Sequence, residues 1–508
     1  MNDLPPFLVA VPLLGSVLAL LAGLVRSRSG WPVAVCTALV QTGMAAVLAS
    51  RAFSGQPVRY VVGGFSAPFG IELVIDGLSA TMAVLVAVVA LGVLGYARVA
   101  GPRSNAFYAT YLLLVAGLSG MSITGDVFNM YVFLEITGLA AYALVASGEG
   151  GRSARAALKY LLVGTVGASL FLLGIGFAYV ATGTLNMADL SAQLAAVGYE
   201  SPLVRAAFGL LVVGLFVKIA VFPIHTWQPA AYAGAPDSVS ALISALVSTI
   251  AAYALIRIVF TVFTVEFLAA NPFAQTVLVA AAVVSIVAGS VLAVTQREIK
   301  RMLAYSSVSQ FGLIVGAVAV ANGTALTGAM IHLVGHAVMK GGLFLTSGLI
   351  ADETDARTVD DYRGLAERFP VGSTAFGVLA LAMVGVPPAV GFVGKWYIAL
   401  GAVEAQAWPL VVVLLLSTLL TLAYFARVIE RIFFRESPDV DAGAETAPDE
   451  TLFTDGEGER EADDAGRPPV STGMRATVVL AAVLAVVLGV AAFEYGQLLE
   501  PTIARLLA

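Results

Sequence analysis

The sequence predicts an all-α polytopic membrane protein of about fourteen transmembrane helices, and three observations carry that expectation. Of its 508 residues, 59% are hydrophobic and 12% charged, against roughly 45–50% and about 25% in an ordinary soluble domain. Apolar runs recur along nearly the whole chain, and most reach the roughly 20 residues a helix needs to cross a hydrocarbon core. Two of those runs are interrupted by proline in similar ways.

In order, the spans begin near Pro5, Pro32, Leu78, Asn105, Phe128, Ala154, Leu203, Val239, Phe273, Met302, Leu326, Val371, Trp408 and Gly473. The start, Met1-Asn2-Asp3-Leu4-Pro5, lacks a basic n-region, so the first run is expected to stay as a membrane helix. Residues 53–76 mix turn formers with short β-branched runs, which predicts an extracytoplasmic hairpin or loop. Residues 351–370 read as a polar cytoplasmic connector, and residues 436–467 carry a dense acidic run with few large apolar groups, expected to be a mobile loop. The seventh span is ended or broken at Pro223, and the twelfth is broken at Pro387 and Pro388. Proline removes a helix hydrogen bond and frees carbonyls that only protein or water can satisfy at membrane depth. Such paired breaks point to an ion path, and their separation by five spans suits repeats of five helices.

Basic residues set the expected orientation. Arg26, Arg28, Arg98, Arg103, Arg152, Arg155, Lys159, Arg297, Lys300, Arg301, Arg427, Arg431 and Arg435 all fall at one end of the spans. By the positive-inside rule that end is cytoplasmic, which puts both termini outside a cell membrane. The single cysteine, Cys36, excludes an intrachain disulfide and cannot supply the thiolate set of an iron–sulfur cluster.

The chain holds 27 lysines and arginines, yet only five are lysine, and three of these, Lys218, Lys340 and Lys395, sit inside apolar spans. Arginine stays protonated, whereas a desolvated lysine can release and rebind a proton. An ionisable group in a membrane costs about 2.5–3.5 kcal/mol even on the lenient scale, so these positions read as functional more readily than as snorkelling side chains. Glu135 is the carboxylate well inside an apolar span, and Lys218 is its expected partner, either as a titrating pair or as a static one. His332, His336 and Lys340 stand at i, i+4 and i+8 and line one helix face, a stripe suited to a proton relay. Two histidines at this spacing could also hold a metal, but no third ligand is evident. His225 and Lys300 are possible accessories; His225 reads equally well as an interfacial polar residue. Ser240, Ser244 and Ser248, with Thr249 beside them, form either a close-packing face or a hydrated one.

Together these residues resemble the antiporter-like proton-translocating family: the A and D subunits of Mrp-type cation/proton antiporters and the large membrane subunits of complex I and membrane-bound hydrogenases. The matching stretches are Asp76-Gly-Leu-Ser, Gly125 to Glu135, Ala157-Leu-Lys-Tyr160, Val217 to Pro229, Ile299 to Ser307, His332 to Lys340 and Gly391-Phe-Val-Gly-Lys395. The resemblance implies N-terminal helices with the hairpin over 1–104, inverted five-helix repeats over 105–265 and 272–435, the acidic loop over 436–472 and a last helix over 473–508. It also implies that Glu135 and Lys218 pair in a first half-channel, while Lys395 ends a second one connected by His332, His336 and Lys340. The Gly-Asp-Val-Phe-Asn-Met-Tyr form favours a D-type antiporter subunit over a redox-driven pump subunit. The expected partners are other membrane subunits, protons and monovalent cations, with no nucleic acid, cofactor, metal or catalytic group. One departure stands out: where the family places a bridging lysine or histidine in the eighth span, this chain has Thr249 and Ser244. Either water along the serine face replaces the bridge, or the chain conducts differently or not at all.

Overall fold

A chain this apolar must satisfy its backbone internally, within helices or a closed barrel, and this one uses helices. The computed structural model describes residues 3–55, 57–148, 150–436 and 470–508. Its elements are α1 (Phe7–Val25), α2 (Gly30–Phe53), β1 (Val58–Val61), β2 (Glu72–Ile75), α3 (Gly77–Ala100), α4 (Asn105–Ile123), α5 (Val127–Ala146) and α6 (Gly150–Thr182). Then come α7 (Met187–Val197), α8 (Pro202–Ile219), α9 (Trp227–Gly234), α10 (Asp237–Ala270), α11 (Pro272–Thr295), α12 (Ile299–Val320) and α13 (Gly323–Thr354). The chain closes with α14 (Pro370–Val384), α15 (Val390–Glu404), α16 (Trp408–Phe434) and α17 (Thr472–Leu507). Among the described residues thirteen helices are long and apolar enough to cross a membrane, and α14 is a shorter apolar helix. All but a residue or two of the acidic run 436–467 lies outside the described residues.

Helix starts are fixed by side chains that satisfy the first free N–H groups. Asp76 caps α3 through Leu78 and Ser79, Ser104 caps α4 through Phe107, and Asp126 caps α5 through Asn129. The region 53–76 forms the expected hairpin, with β1 antiparallel to β2 and Val58 opposite Ile75. Gly125 donates to Glu72 O at 2.8 Å, which ties the hairpin to the α4–α5 turn. Helix α7 has no counterpart in the apolar pattern; it is a short connection capped by Asn186.

The two ends of the bundle differ. At one end Leu8 packs with Leu48, Val58 and Leu73, and Thr502 and Arg505 line a cavity with Asp76 and Arg257. At the other end Arg152, Asp237, Glu298, Lys300 and Arg357 surround a cavity of about 440 Å³. The basic loops therefore share one end, and the hairpin shares the other with the outer ends of α1 and α17.

Helix α10 runs through the middle. Every residue of its most apolar window is buried, against about a quarter for α1 and α17. It is π-helical over Ile243–Val247 and again over Ile258–Phe263, a local widening that often accompanies functional sites. It packs on α13, whose other neighbours are α3, α12, α14, α15 and α17.

Candidate functional site

The seventh passage breaks after α8, where Ala220 takes a left-handed conformation (φ 66°) ahead of Pro223. Two carbonyls near the break are taken up by side chains. Trp227 Nε1 donates to Val217 O at 2.8 Å, and Ser248 Oγ donates to Lys218 O at 3.3 Å. The twelfth passage breaks after α14 at Gly385 (φ 97°), and there the carbonyls of Met383 and Val384 accept from Lys395 Nζ at 2.8 and 3.0 Å. The two proline breaks thus do different jobs. One anchors the backbone of a lysine, and the other is capped by a lysine's own ammonium.

Lys218 is 4% exposed and lies 3.5 Å from Glu135 Oε1, as the sequence suggested. Glu135 is 27% exposed on α5, so the pair sits at the side of the bundle. Lys218 Nζ also donates to Tyr142 Oη at 3.2 Å. The Tyr142 ring meets Tyr160 edge-on at 4.5 Å, and Tyr160 stacks flat on Trp227 at 4.1 Å. This aromatic stack reaches from the phenol beside Lys218 to the indole that holds the preceding carbonyl.

Inward of Lys218 lies a small polar cluster. Ser248 Oγ is 3.3 Å from Tyr232 Oη, and Gln228 Nε2 donates to both, at 3.1 Å to the phenol and 3.4 Å to the serine. Ser240 and Ser244 bond carbonyls of their own stretch of chain, Tyr232 O at 2.7 Å and Ala241 O at 3.1 Å. The π-helical turn over Ile243–Val247 breaks the i, i+4 register, so only Ser248 of the serine face joins Lys218. Thr249 Oγ1 is buried without a partner.

The contact from this cluster to α13 is van der Waals: Tyr232 meets Phe344 edge-on at 5.6 Å. Lys340 Nζ then donates to Leu303 O at 2.8 Å and, more closely, to Ser306 Oγ. His336 lies one turn away with its ring edge-on to Phe311 at 4.7 Å, and neither ring nitrogen has a partner. The His332 ring is 6.4 Å from His336 and pairs through Nε2 with Gln310 Oε1 at 2.9 Å. A methyl group at Gly394 would lie 2.9 Å from His332 Cα, and this close approach sets Lys395, the next residue, beside the stripe.

Of the six expected residues, Lys218 pairs with the partly exposed Glu135, and Lys340, His336, His332 and Lys395 lie buried together around α13, with Ser248 bonded to the Lys218 carbonyl. His225 stands apart, stacked on Phe222 at 5.1 Å in the proline break. Lys300 belongs to the basic end, where it donates to Asp237 and to Ala235 O, each at 2.8 Å. Tyr142, Gln228, Tyr232, Ser306 and Gln310 join the set without having stood out in the sequence. Arg257 was also missed. Its guanidinium reaches Asp76 at 2.5 Å and Tyr253 at 2.8 Å at the hairpin end. Burial draws the Asp76 carboxyl upward, but Arg257 and the Ser79 N–H outweigh it and hold the group below the usual carboxylate range.

Lysine, imidazole and phenol can each give and take a proton near one another. Among the described residues no three His, Cys, Asp or Glu side chains are grouped to hold a metal ion.

Residues 124–421 match the profile of a family described as "NADH:quinone oxidoreductase/Mrp antiporter, TM". A relative from Desulforudis audaxviator, named as the N subunit of NADH-quinone oxidoreductase, is 46% identical over 87% of this chain and 89% of its own length. A Bacillus subtilis relative, named as the D subunit of a Na(+)/H(+) antiporter, is 31% identical over 86% of this chain and 88% of its own. Among solved structures, a chain of the Mrp complex from Dietzia sp. DQ12-45-1b superposes with a TM-score of 0.86 at 27% identity, covering 100% of this chain and 97% of that one.

Proposed function

This chain belongs to the NADH:quinone oxidoreductase/Mrp antiporter transmembrane family, and from that premise we propose that it is the proton-conducting, D-type subunit of a multisubunit monovalent cation/proton antiporter. The observation that carries the proposal is the series of buried titratable side chains, Lys218, Lys340, His336, His332 and Lys395, that begins beside the partly exposed Glu135. A static scaffold has no use for three lysines and two histidines in an apolar interior, where each charged group costs free energy unless it is used. Protons pass along such a series by exchange between neighbours, and the cation they are exchanged for moves elsewhere in the assembly.

In this reading Glu135 and Lys218 form the first station, because the carboxylate favours the ammonium and the ammonium favours the carboxylate. Ser248, Gln228 and Tyr232 extend from that station toward α13, which carries Lys340, His336 and His332, and Lys395 closes the series. Residues 105–265 and 272–435 act as two five-helix repeats, each with one broken passage. The basic end faces the cytoplasm and the hairpin end faces outward.

A second reading is supported by the Desulforudis relative, which is more alike in sequence than the Bacillus protein. There the same series is driven by a redox module in other chains. Both readings place the chain among other membrane subunits and give its residues the same work.

The test is a double-mutant cycle in vesicles carrying the whole complex. Glu135→Ala and Lys218→Ala should each abolish most pH-gradient-driven cation exchange, and the double variant should be no worse than either, as befits one coupled unit. Additive losses would show two independent groups.

A further inference from the structure

Lys218 has a second partner whose chemistry differs from that of Glu135. An ionised carboxylate only accepts hydrogen bonds, so it can take an N–H from the ammonium or the amine but cannot donate to the lone pair that the neutral amine gains. A phenol both donates and accepts. Tyr142 Oη, 3.2 Å from Lys218 Nζ, can therefore accept from the ammonium and donate to the amine without losing its own proton.

Two glycines keep the space for this exchange. A methyl group at Gly164 on α6 would lie 2.0 Å from Tyr142 Oη, and one at Gly138 on α5 would lie 3.1 Å from the same oxygen and 3.2 Å from Lys218 Nζ. Glu135, Gly138 and Tyr142 stand at i, i+3 and i+7 on α5, so they share a face, with the backbone positions of Glu135 and Tyr142 about 10 Å apart along the axis at 1.5 Å per residue. Lys218 reaches both. The Tyr142 ring is held edge-on by Tyr160, which is itself stacked on Trp227, and the ammonium is 5.7 Å from the ring centroid, within cation–π reach. Glu135 is the more exposed and freer partner; Tyr142 is the fixed one.

We propose that Tyr142 is a positioning residue for Lys218: it receives the lysine as the side chain leaves Glu135 and donates to the lone pair of the neutral amine after its proton has moved inward. No bond to Tyr142 is made or broken; only the sense of one hydrogen bond reverses. This assignment rests on the proton-line reading of Lys218.

The test uses the whole complex in vesicles, with Lys218→Ala measured beside each variant. Tyr142→Phe removes the hydroxyl and keeps the ring stack. It should assemble normally and exchange cations roughly tenfold more slowly, the fold-change that loss of one hydrogen bond to a charged group carries. Tyr142→His restores a donor and an acceptor and should recover part of that loss. Gly164→Ala, which displaces the phenol without removing it, should also slow exchange. Wild-type exchange by Tyr142→Phe in vesicles where Lys218→Ala is inert overturns the assignment, as does a loss that histidine leaves untouched. A fully active Lys218→Ala complex would instead remove the proton-line reading and this assignment with it.

Discussion

Arg257 and Lys218 are both buried cations, and each has a carboxylate partner, yet they do different work. A guanidinium does not release its proton in any ordinary condition, so the Arg257–Asp76 pair can only hold structure. It joins α10 to the cap of α3 at 2.5 Å, with Tyr253 as a third member. Removing one partner of a buried pair leaves the other charge uncompensated, at a cost of about 3–5 kcal/mol. Arg257→Met should therefore lower the melting temperature of the purified complex sharply, and adding Asp76→Asn should recover much of the loss; a single variant that melts like wild type would show that the pair does not clamp these helices. The scarcity of lysine made Lys218, Lys340 and Lys395 legible in the sequence, and a lone carboxylate in an apolar run did the same for Glu135. Arg257 could have been found by the same logic, as an arginine inside an otherwise apolar run. Tyr142, Gln310 and Ser306 could not, because neutral polar residues are common in spans and their partners lie 22 to 76 positions away in the chain.

Apolar runs long enough to span have a length and a composition that single residues lack, and so the thirteen spans found among the described residues and the shorter apolar helix α14 were legible, with starts within about four residues of those observed. The proline breaks were also legible, since proline removes a backbone donor wherever it stands. What lay beyond the sequence was the use made of each break: one is held by Trp227 and Ser248, the other by Lys395. The π-helical turns of α10 were hidden too, because an i→i+5 bond leaves no hydropathy signature. They divide the serine face. Ser248 bonds the Lys218 carbonyl and sits against Tyr232 and Gln228, while Ser244 bonds only Ala241 within its own helix. Ser248→Ala should then slow cation exchange several-fold with assembly intact, and Ser244→Ala should leave it near wild type. Equal rates for the two alanine variants in the same vesicles would mean that both hydroxyls serve packing.

At the scale of the whole molecule, α10 is a buried axis and α13 lies against it, so the titratable stripe of α13 is buried within the bundle. The series that starts at the partly exposed Glu135 ends at the buried Lys395. The absence of a lysine at Thr249 leaves the middle of that series to Ser248, Gln228, Tyr232 and the aromatic contact with Phe344. On the proposed reading, conduction across this stretch depends on a lysine at its edge that can change protonation state, and not merely on a positive charge. The most direct measurement is pH-gradient-driven cation exchange in vesicles containing the whole complex with Lys218→Arg. Arginine keeps the charge and the pairing with Glu135 but cannot release a proton. The complex should assemble and yet exchange cations at the background rate of Lys218→Ala; full activity with arginine would mean that Lys218 serves structure and that the proton path lies elsewhere.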